Sequence, residues 1–230
     1  MKTNNNIKKF PKNIPSLDLL IKRNNNFKEN FKKNQIFKLM DTGYFCLEGK
    51  REKFLSYFQV WSNYFQKAML LRTALCDDPN FIPIFYQHLT EEFGHDRMFN
   101  KERSAVNVRK DAILEALCNW FLSKMLSFSP YEQVVVMNLC LEAAAVVFYG
   151  RARSIIDPDD QFEHFQAHHE VDVAHEEMGL SLLKNLPALQ YERLFKVQED
   201  AWAMCEALIH RLSELVQENA LSQRVKFESF

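Results

Sequence analysis

Glycine is scarce in this sequence, 5 in 230 residues, and proline adds only 7. That is too little turn chemistry for an all-β fold made of many tight hairpins, so long helices are the better expectation. Cysteine offers no staple either. Cys46, Cys76, Cys118, Cys140 and Cys205 are odd in number, scattered and without a CxxC pair, which reads as reduced, buried thiols in a cytosolic protein. Neither sign of charge dominates: 29 basic residues stand against 30 acidic ones, for a net charge of −1. No strong field therefore draws the chain to nucleic acid or anionic lipid. The longest uninterrupted apolar run, Ala143 to Tyr149, falls far short of the roughly 20 residues a membrane span needs. Together these absences predict a cytoplasmic protein with no nucleic-acid or membrane partner.

The chain is basic and rich in Asn and Lys at its start. It has neither the Arg/Ser richness of a transit peptide nor the apolar stretch of a signal peptide there. We read residues 1–15 as an arm, 16–222 as one helical domain and 223–230 as a tail. Apolar residues make up 47% of the chain, 20 of them Phe. A domain of this size buries roughly 70% of its unfolded surface without needing disulfides.

The apolar periodicity is helical almost throughout. Phe54, Phe58, Trp61, Phe65, Ala68 and Met69 recur at steps of three and four and predict a helix over about 50–76. Core packing is the simpler use of this stripe, and a hydrophobic substrate channel is the other. Asp78-Pro79 supplies an N-cap and an N1 proline for a helix over 79–103. Further helices are predicted over 109–127, 130–156 (opened by Ser129-Pro130), 157–185 (opened by Asp157-Pro158) and 187–220. One or two more before residue 42 bring the total to seven or eight in an all-α, single-domain bundle.

Five of the seven histidines fall in two windows. In the second, His168, Asp172 and His175 stand at i, i+4 and i+7, within roughly 60° of one another on a helix. Val171, Val173 and Ala174 flank this stripe. A buried Asp between two His is costly unless something compensates it, and a divalent cation does so directly. In the first window Glu92 and His95 stand at i, i+3, a spacing that lets both side chains reach one ion; Glu91 competes for the same role. Gly94 between them carries a helix cost of about 1 kcal/mol against Ala, which suits close approach of a backbone or bound group. Glu142 is a lone carboxylate in an otherwise apolar stretch, Leu139 to Val147, and buried polar groups are paired, protonated or metal-bound.

Three imidazoles (His95, His168, His175) and three carboxylates (Glu92, Glu142, Asp172) suit two divalent ions bridged by a carboxylate. Zinc in a closed site would more often recruit thiolates. Iron(II), or manganese, fits better, and iron makes sense of open positions for O2 as co-substrate.

This pattern, a Glu-x-x-His, a lone Glu about fifty residues on, and His-x3-Asp-x2-His, resembles the haem-oxygenase-like di-iron oxidases over roughly residues 50–220. The same fold includes PqqC and the thiaminase II (TenA) group, and the family includes the chlamydial death-domain-associating protein. The resemblance implies a seven-helix bundle, a homodimer, two ferrous ions, O2 activation and oxidation of a small molecule such as a fatty acid, an amino acid or an aromatic precursor. The chlamydial relative, which makes p-aminobenzoate from its own tyrosine, has a tyrosine where this chain has Leu141 and a lysine where it has Ala152.

In this reading Glu92, His95 and Glu142 hold one iron, His168, Asp172 and His175 the other, and Glu142 bridges. Tyr149 and Arg153, at i+7 and i+11 from Glu142, share its face. Arg153 is the candidate to pin a substrate carboxylate, against a surface Arg and a core Tyr as the plain alternative. His164, one turn before His168, is either a supporting partner or exposed. The competing classes are a metal-independent thiaminase II-like hydrolase or PqqC-like cofactorless oxidase, and a non-catalytic metal-binding interaction protein. The hydrolase would need a thiol, and Cys140, the only one near a candidate base, faces away from Glu142 at i+2.

Overall fold

The computed structural model describes residues 15–102, 108–156, 163–165 and 174–218, and no strand occurs among them. The all-α expectation holds. The helices are α1 (Leu17–Phe31), α2 (Gln35–Asp41), α3 (Lys50–Leu75), α4 (Ile82–Glu92), α5 (His95–Glu102), α6 (Ala112–Ser127), α7 (Pro130–Ile156) and α8 (Ala188–Gln217). Shorter helical pieces cover 163–165 and 174–177.

Local chemistry explains most boundaries. Ser16 caps α1 through Leu19 N–H, and Asp111 caps α6 through Leu114 N–H at 2.8 Å. A capping box joins Ser129 and Glu132 at the start of α7, with Pro130 in the first turn, where its missing N–H costs nothing. The helix expected over 157–185 lies in part outside the described residues, and its described end stops at residue 177, before a 3-10 helix at Leu180–Leu183; two earlier boundaries also differ. The helix after Asp78 begins at Ile82, not at residue 79, because the Asp78 carboxylate is taken by a turn, accepting from Asn80 N–H at 2.9 Å. The single helix expected over 79–103 is two, broken at Phe93-Gly94, where Gly94 takes φ +95°.

Helices α3, α6, α7 and α8 form the centre of the bundle. α4 and α5 pack on α3, and α1 packs across α7 and α8. α7 is long and apolar enough to cross a membrane by length and composition, but most of it is buried inside the bundle. It is the core helix. Its middle, Val135–Glu142, is π-helical and wholly buried. Such stretches, with i→i+5 bonding, are rare and frequent at functional sites. Two buried amides brace this one. Asn24 on α1 donates to Leu139 O at 2.6 Å, and Asn138 donates to His175 O at 3.1 Å.

The apolar stripe of α3 divides its work. Phe54 and Met69 are core residues, whereas Phe58, Trp61 and Phe65 line two cavities described below. Of the cysteines, Cys118, Cys140 and Cys205 are buried, Cys76 is half-buried and Cys46 is exposed, and all are free. The expectation of buried thiols fails at Cys46.

Candidate metal centre

Three elements converge beneath α3: the end of α4, the π-helical middle of α7 and the helical segment 174–177. They bring together Glu92, Glu142 and His175, each at most 2% exposed, with the equally buried His88. His175 Nδ1 lies 3.3 Å from Glu92 Oε1 and 4.0 Å from Glu142 Oε2. His88 Nε2 lies 2.9 Å from Glu142 Oε1. One ligand atom each from His88, Glu92 and His175 falls within 4.8 Å of the others, close enough to surround a single ion.

The break at Gly94 sets the position of His95. Its Nδ1 and Glu92 Oε2 are 3.0 Å apart and hydrogen-bonded. The pair meets across a kink rather than along a regular helical turn. A glycine is needed there for its positive φ and not for close approach, since a Cβ at Gly94 would meet nothing within 4 Å. The kink is also tied down: Gly94 N–H donates to Gln66 Oε1 at 2.7 Å.

The electrostatics are those of a buried, highly charged pocket. Burial disfavours the cationic form of His175, but Glu92, Glu142 and Glu91 outweigh it and raise the pKa to about 9. On its far side, His175 Nε2 stands 2.8 Å from Glu91 Oε2. That answers which glutamate faces the centre: Glu92 points inward, and Glu91, 41% exposed in its side chain, backs His175 from outside. His88 goes the other way. Burial, then the Arg72 cation and His175, push its pKa well below the ordinary value, so its ring is neutral.

A cavity of about 40 Å³ opens beside these residues, lined by Glu92, His95, Glu142, Tyr149, His164 and Gln66 among others. An apolar chamber of about 50 Å³, walled by Phe58, Phe121, Phe148 and Leu208, shares Trp61, Leu141, Ala145 and Tyr149 with it. Tyr149 Oη and His164 Nε2 are 3.0 Å apart and buried. His164 is therefore a partner of the cavity wall, not a surface residue. Arg153 is half-buried on α7 and lines neither cavity.

The donor set suits iron. Two buried carboxylates and nitrogen ligands, without a thiolate, form an oxygen- and imidazole-rich pocket, and His175 turns a ring nitrogen toward both carboxylates. The profile of a family described as iron-containing redox enzymes matches residues 54–209. The chain belongs to that family. A protein of Rickettsia prowazekii (strain Madrid E), described as uncharacterised, is 35% identical over 199 residues, covering 86% of this chain and 95% of its own. Two solved structures share the fold. One is a domain of unknown function with a heme oxygenase-like fold from Shewanella denitrificans, with a TM-score of 0.63 at 13% identity, covering 93% of this chain and 95% of its own. The other is a TenA homologue from Pyrococcus furiosus, with a TM-score of 0.60 at 17% identity, covering 85% and 98%. The haem-oxygenase-like bundle expected from the sequence is confirmed.

For this member of the iron-containing redox enzyme family, Glu92, Glu142 and His175 meet in one buried cluster, and His95 adjoins it through Glu92. His168 and Asp172 lie outside the described residues. Sequence reasoning missed His88 and the fully buried Arg72. A signal for His88 was present: His88-x3-Glu92-x2-His95 repeats the spacing of His168-x3-Asp172-x2-His175.

Proposed function

We propose that this chain is a non-haem di-iron oxidase or oxygenase that uses O2 to oxidise a small molecule. Glu92, His95, Glu142 and His175, joined by His168 and Asp172, would hold the two irons. The observation that carries the reading is the burial of Glu92 and Glu142, each 2% exposed, against a ring nitrogen of His175. Two carboxylates in so dry a place are costly unless cations compensate them.

Bound iron would supply the electrons that reduce dioxygen. The protein's own side chains do the rest. Glu91, accepting from His175 Nε2–H, holds the ring with Nδ1 toward the two carboxylates, so that Nδ1 is the nitrogen that would give up its proton and ligate when iron binds. Leu141, Trp61 and Phe65 exclude water from the cavity. Tyr149 Oη and His164 Nε2 share a proton at its wall, within reach of a reacting group. Gln66 Oε1 is held by Gly94, which leaves the Nε2 donor without a partner in that wall. Nε2 is thus placed to take a substrate oxygen more directly than Arg153. The adjoining apolar chamber accommodates a hydrophobic portion of the substrate.

Among the described residues no cysteine lines the cavity beside Glu92 and Glu142, which counts against a thiol-dependent hydrolase. Cys140 is fully buried and its thiol is pushed well up by burial, and Cys205, the thiol in the apolar chamber, is pushed up likewise. Reconstitution with ferrous iron under anaerobic conditions tests the proposal. Close to two irons per chain and O2 uptake on aeration are expected. A reconstituted protein that binds no iron, or binds it without consuming O2, overturns it.

A further inference from the structure

His88 meets Glu142 on one side of its ring and Arg72 and Asn138 on the other, and the two sides give different answers about what it does. On the Glu142 side, Nε2 and Oε1 are 2.9 Å apart, but the approach is bent out of hydrogen-bond geometry. Two ligands of one ion would look like this, and so would a strained donor and acceptor. Nε2 alone does not decide.

Nδ1 does. Arg72 Nη2 lies 2.8 Å from it and Asn138 Nδ2 lies 3.1 Å from it. A guanidinium has donors and no acceptor. The amide is fixed too: Asn138 Oδ1 accepts from Arg72 Nη1 at 2.9 Å, and its Nδ2 donates to His175 O at 3.1 Å. Turning the amide over would set a carbonyl against a carbonyl and an NH2 against a guanidinium. Nδ1 therefore faces two donors and must accept. In a neutral imidazole the other nitrogen then carries the proton. Arg72 has nowhere else to go. It is wholly buried, stacked over Phe85 at 4.3 Å and held near Met69 Sδ.

The geometry points to His88 as a positioning residue rather than a metal ligand: Arg72 and Asn138 lock its ring with the proton on Nε2, so that an N–H, not a lone pair, lies 2.9 Å from Glu142 Oε1 and bears on that carboxylate. His175 is the counterexample within the same site. Its outer nitrogen, Nε2, donates to a carboxylate, so its inner nitrogen, Nδ1, is the one free to exchange its proton for a metal. The outer partner decides in both rings whether the inner nitrogen can open to a metal: Nδ1 of His175 can, and Nε2 of His88 cannot. His88 could ligate only as an imidazolate, by giving up the Nε2 proton. The tautomer stands independently of the proposed function; only the role of Glu142 as a ligand rests on it.

Long-range 1H–15N correlation of histidine-labelled protein reads the tautomer directly, with His88→Gln assigning the signal. A proton on His88 Nε2 is expected in the metal-free protein, and it is expected to persist after loading with Zn(II) as a diamagnetic probe. An Nδ1–H form in the metal-free protein, or loss of the Nε2 proton on zinc loading, overturns the inference. If zinc does not bind, the proposed function fails while the metal-free spectrum still tests the tautomer. In His88→Gln, whose amide restores a donor near Nε2, zinc stoichiometry should be unchanged and affinity should fall by no more than the 10–100-fold typical of a supporting residue. Loss of a bound ion would mark His88 as a ligand. In Arg72→Met the locked spectrum should give way to mixed tautomers, and an unchanged spectrum counts against the guanidinium as the lock.

Discussion

Gln66 on α3 reaches across to the backbone of Gly94 and accepts its N–H at 2.7 Å. This bond pins the point at which α4 ends and α5 begins, and so decides where His95 projects. Gly94 holds φ +95° there, a conformation in which an L side chain is strained by about 1–3 kcal/mol. We expect Gly94→Ala to lose about that much stability in urea unfolding and to bind iron less completely. Gly150 is the control. It is exposed within α7 at an ordinary φ, with open space around its Cα, so Gly150→Ala should gain about 0.5–1 kcal/mol. Equal losses in the two variants would refute strain as the cause.

Removing the Tyr149 hydroxyl leaves the ring packed against Phe58 and Phe148 but deletes its bond to His164. Tyr149→Phe should fold with a stability loss of about 1 kcal/mol and keep its iron, while O2 uptake slows by about 10²-fold or more if the pair moves a proton. Unchanged uptake would reduce Tyr149 to a packing residue.

Truncating an inward ligand separates the site from the fold. In His175→Ala, helix content by circular dichroism should stay near that of the parent, because the ring sits at the edge of a short helical segment, while iron occupancy drops sharply. The same result is expected for His168→Ala and Asp172→Ala. Full loading in all three would remove the metal assignment.

Far from the centre, Arg211 closes on Asp111 with two bonds, at 3.1 and 2.8 Å. Arg211 holds the Asp111 carboxyl below its ordinary value of 3.8, against the opposing effect of burial. A depressed carboxylate contributes stability that is complete above its unfolded pKa and is lost as pH falls through the folded one. Asp111→Asn retains the helix cap, since Asn caps as well as Asp, and removes the charge. It should lose about 1 kcal/mol at pH 7, and the gap to the parent protein should close as pH drops below 3.8. A gap that stays constant to pH 2 would mean the pair adds nothing.

Thiol labelling should sort the cysteines by burial. Cys46 is exposed and should react at once; Cys118, Cys140 and Cys205 are buried and should wait for unfolding. Burial pushes the Cys118 thiol up to about 12, so little thiolate forms at neutral pH. Rapid modification of Cys140 in the native protein would reopen the hydrolase reading.

What the sequence revealed follows the range of each interaction. α3, α6 and α8 were legible because apolar stripes, caps and flanking prolines are local signals, and Glu142 was legible because a lone carboxylate among Leu, Ala and Val has few uses. The false start at Pro79 came from an Asp whose carboxylate could serve a cap or a turn equally well. The kink at Gly94 depends on Gln66, 28 residues away. Arg72 passed unnoticed because its partners, His88 and Asn138, lie 16 and 66 residues along the chain, and no periodicity announces a cation held by contacts of that kind. The π-helical stretch has no sequence signature in its run of Val, Met and Leu.

That stretch makes chain length itself part of the machinery. Between Val135 and Glu142 the backbone winds more loosely than an α-helix, and Asn138 and Glu142 are aimed by that slack. Shortening α7 by one residue there would let the stretch close to regular α-helical winding at about 100° per residue, changing the angle between Asn138 and Glu142 so that one of them turns away from its partner, Arg72 or His175. Insertions and deletions in this octet should therefore prove more damaging than almost any exchange of its apolar side chains.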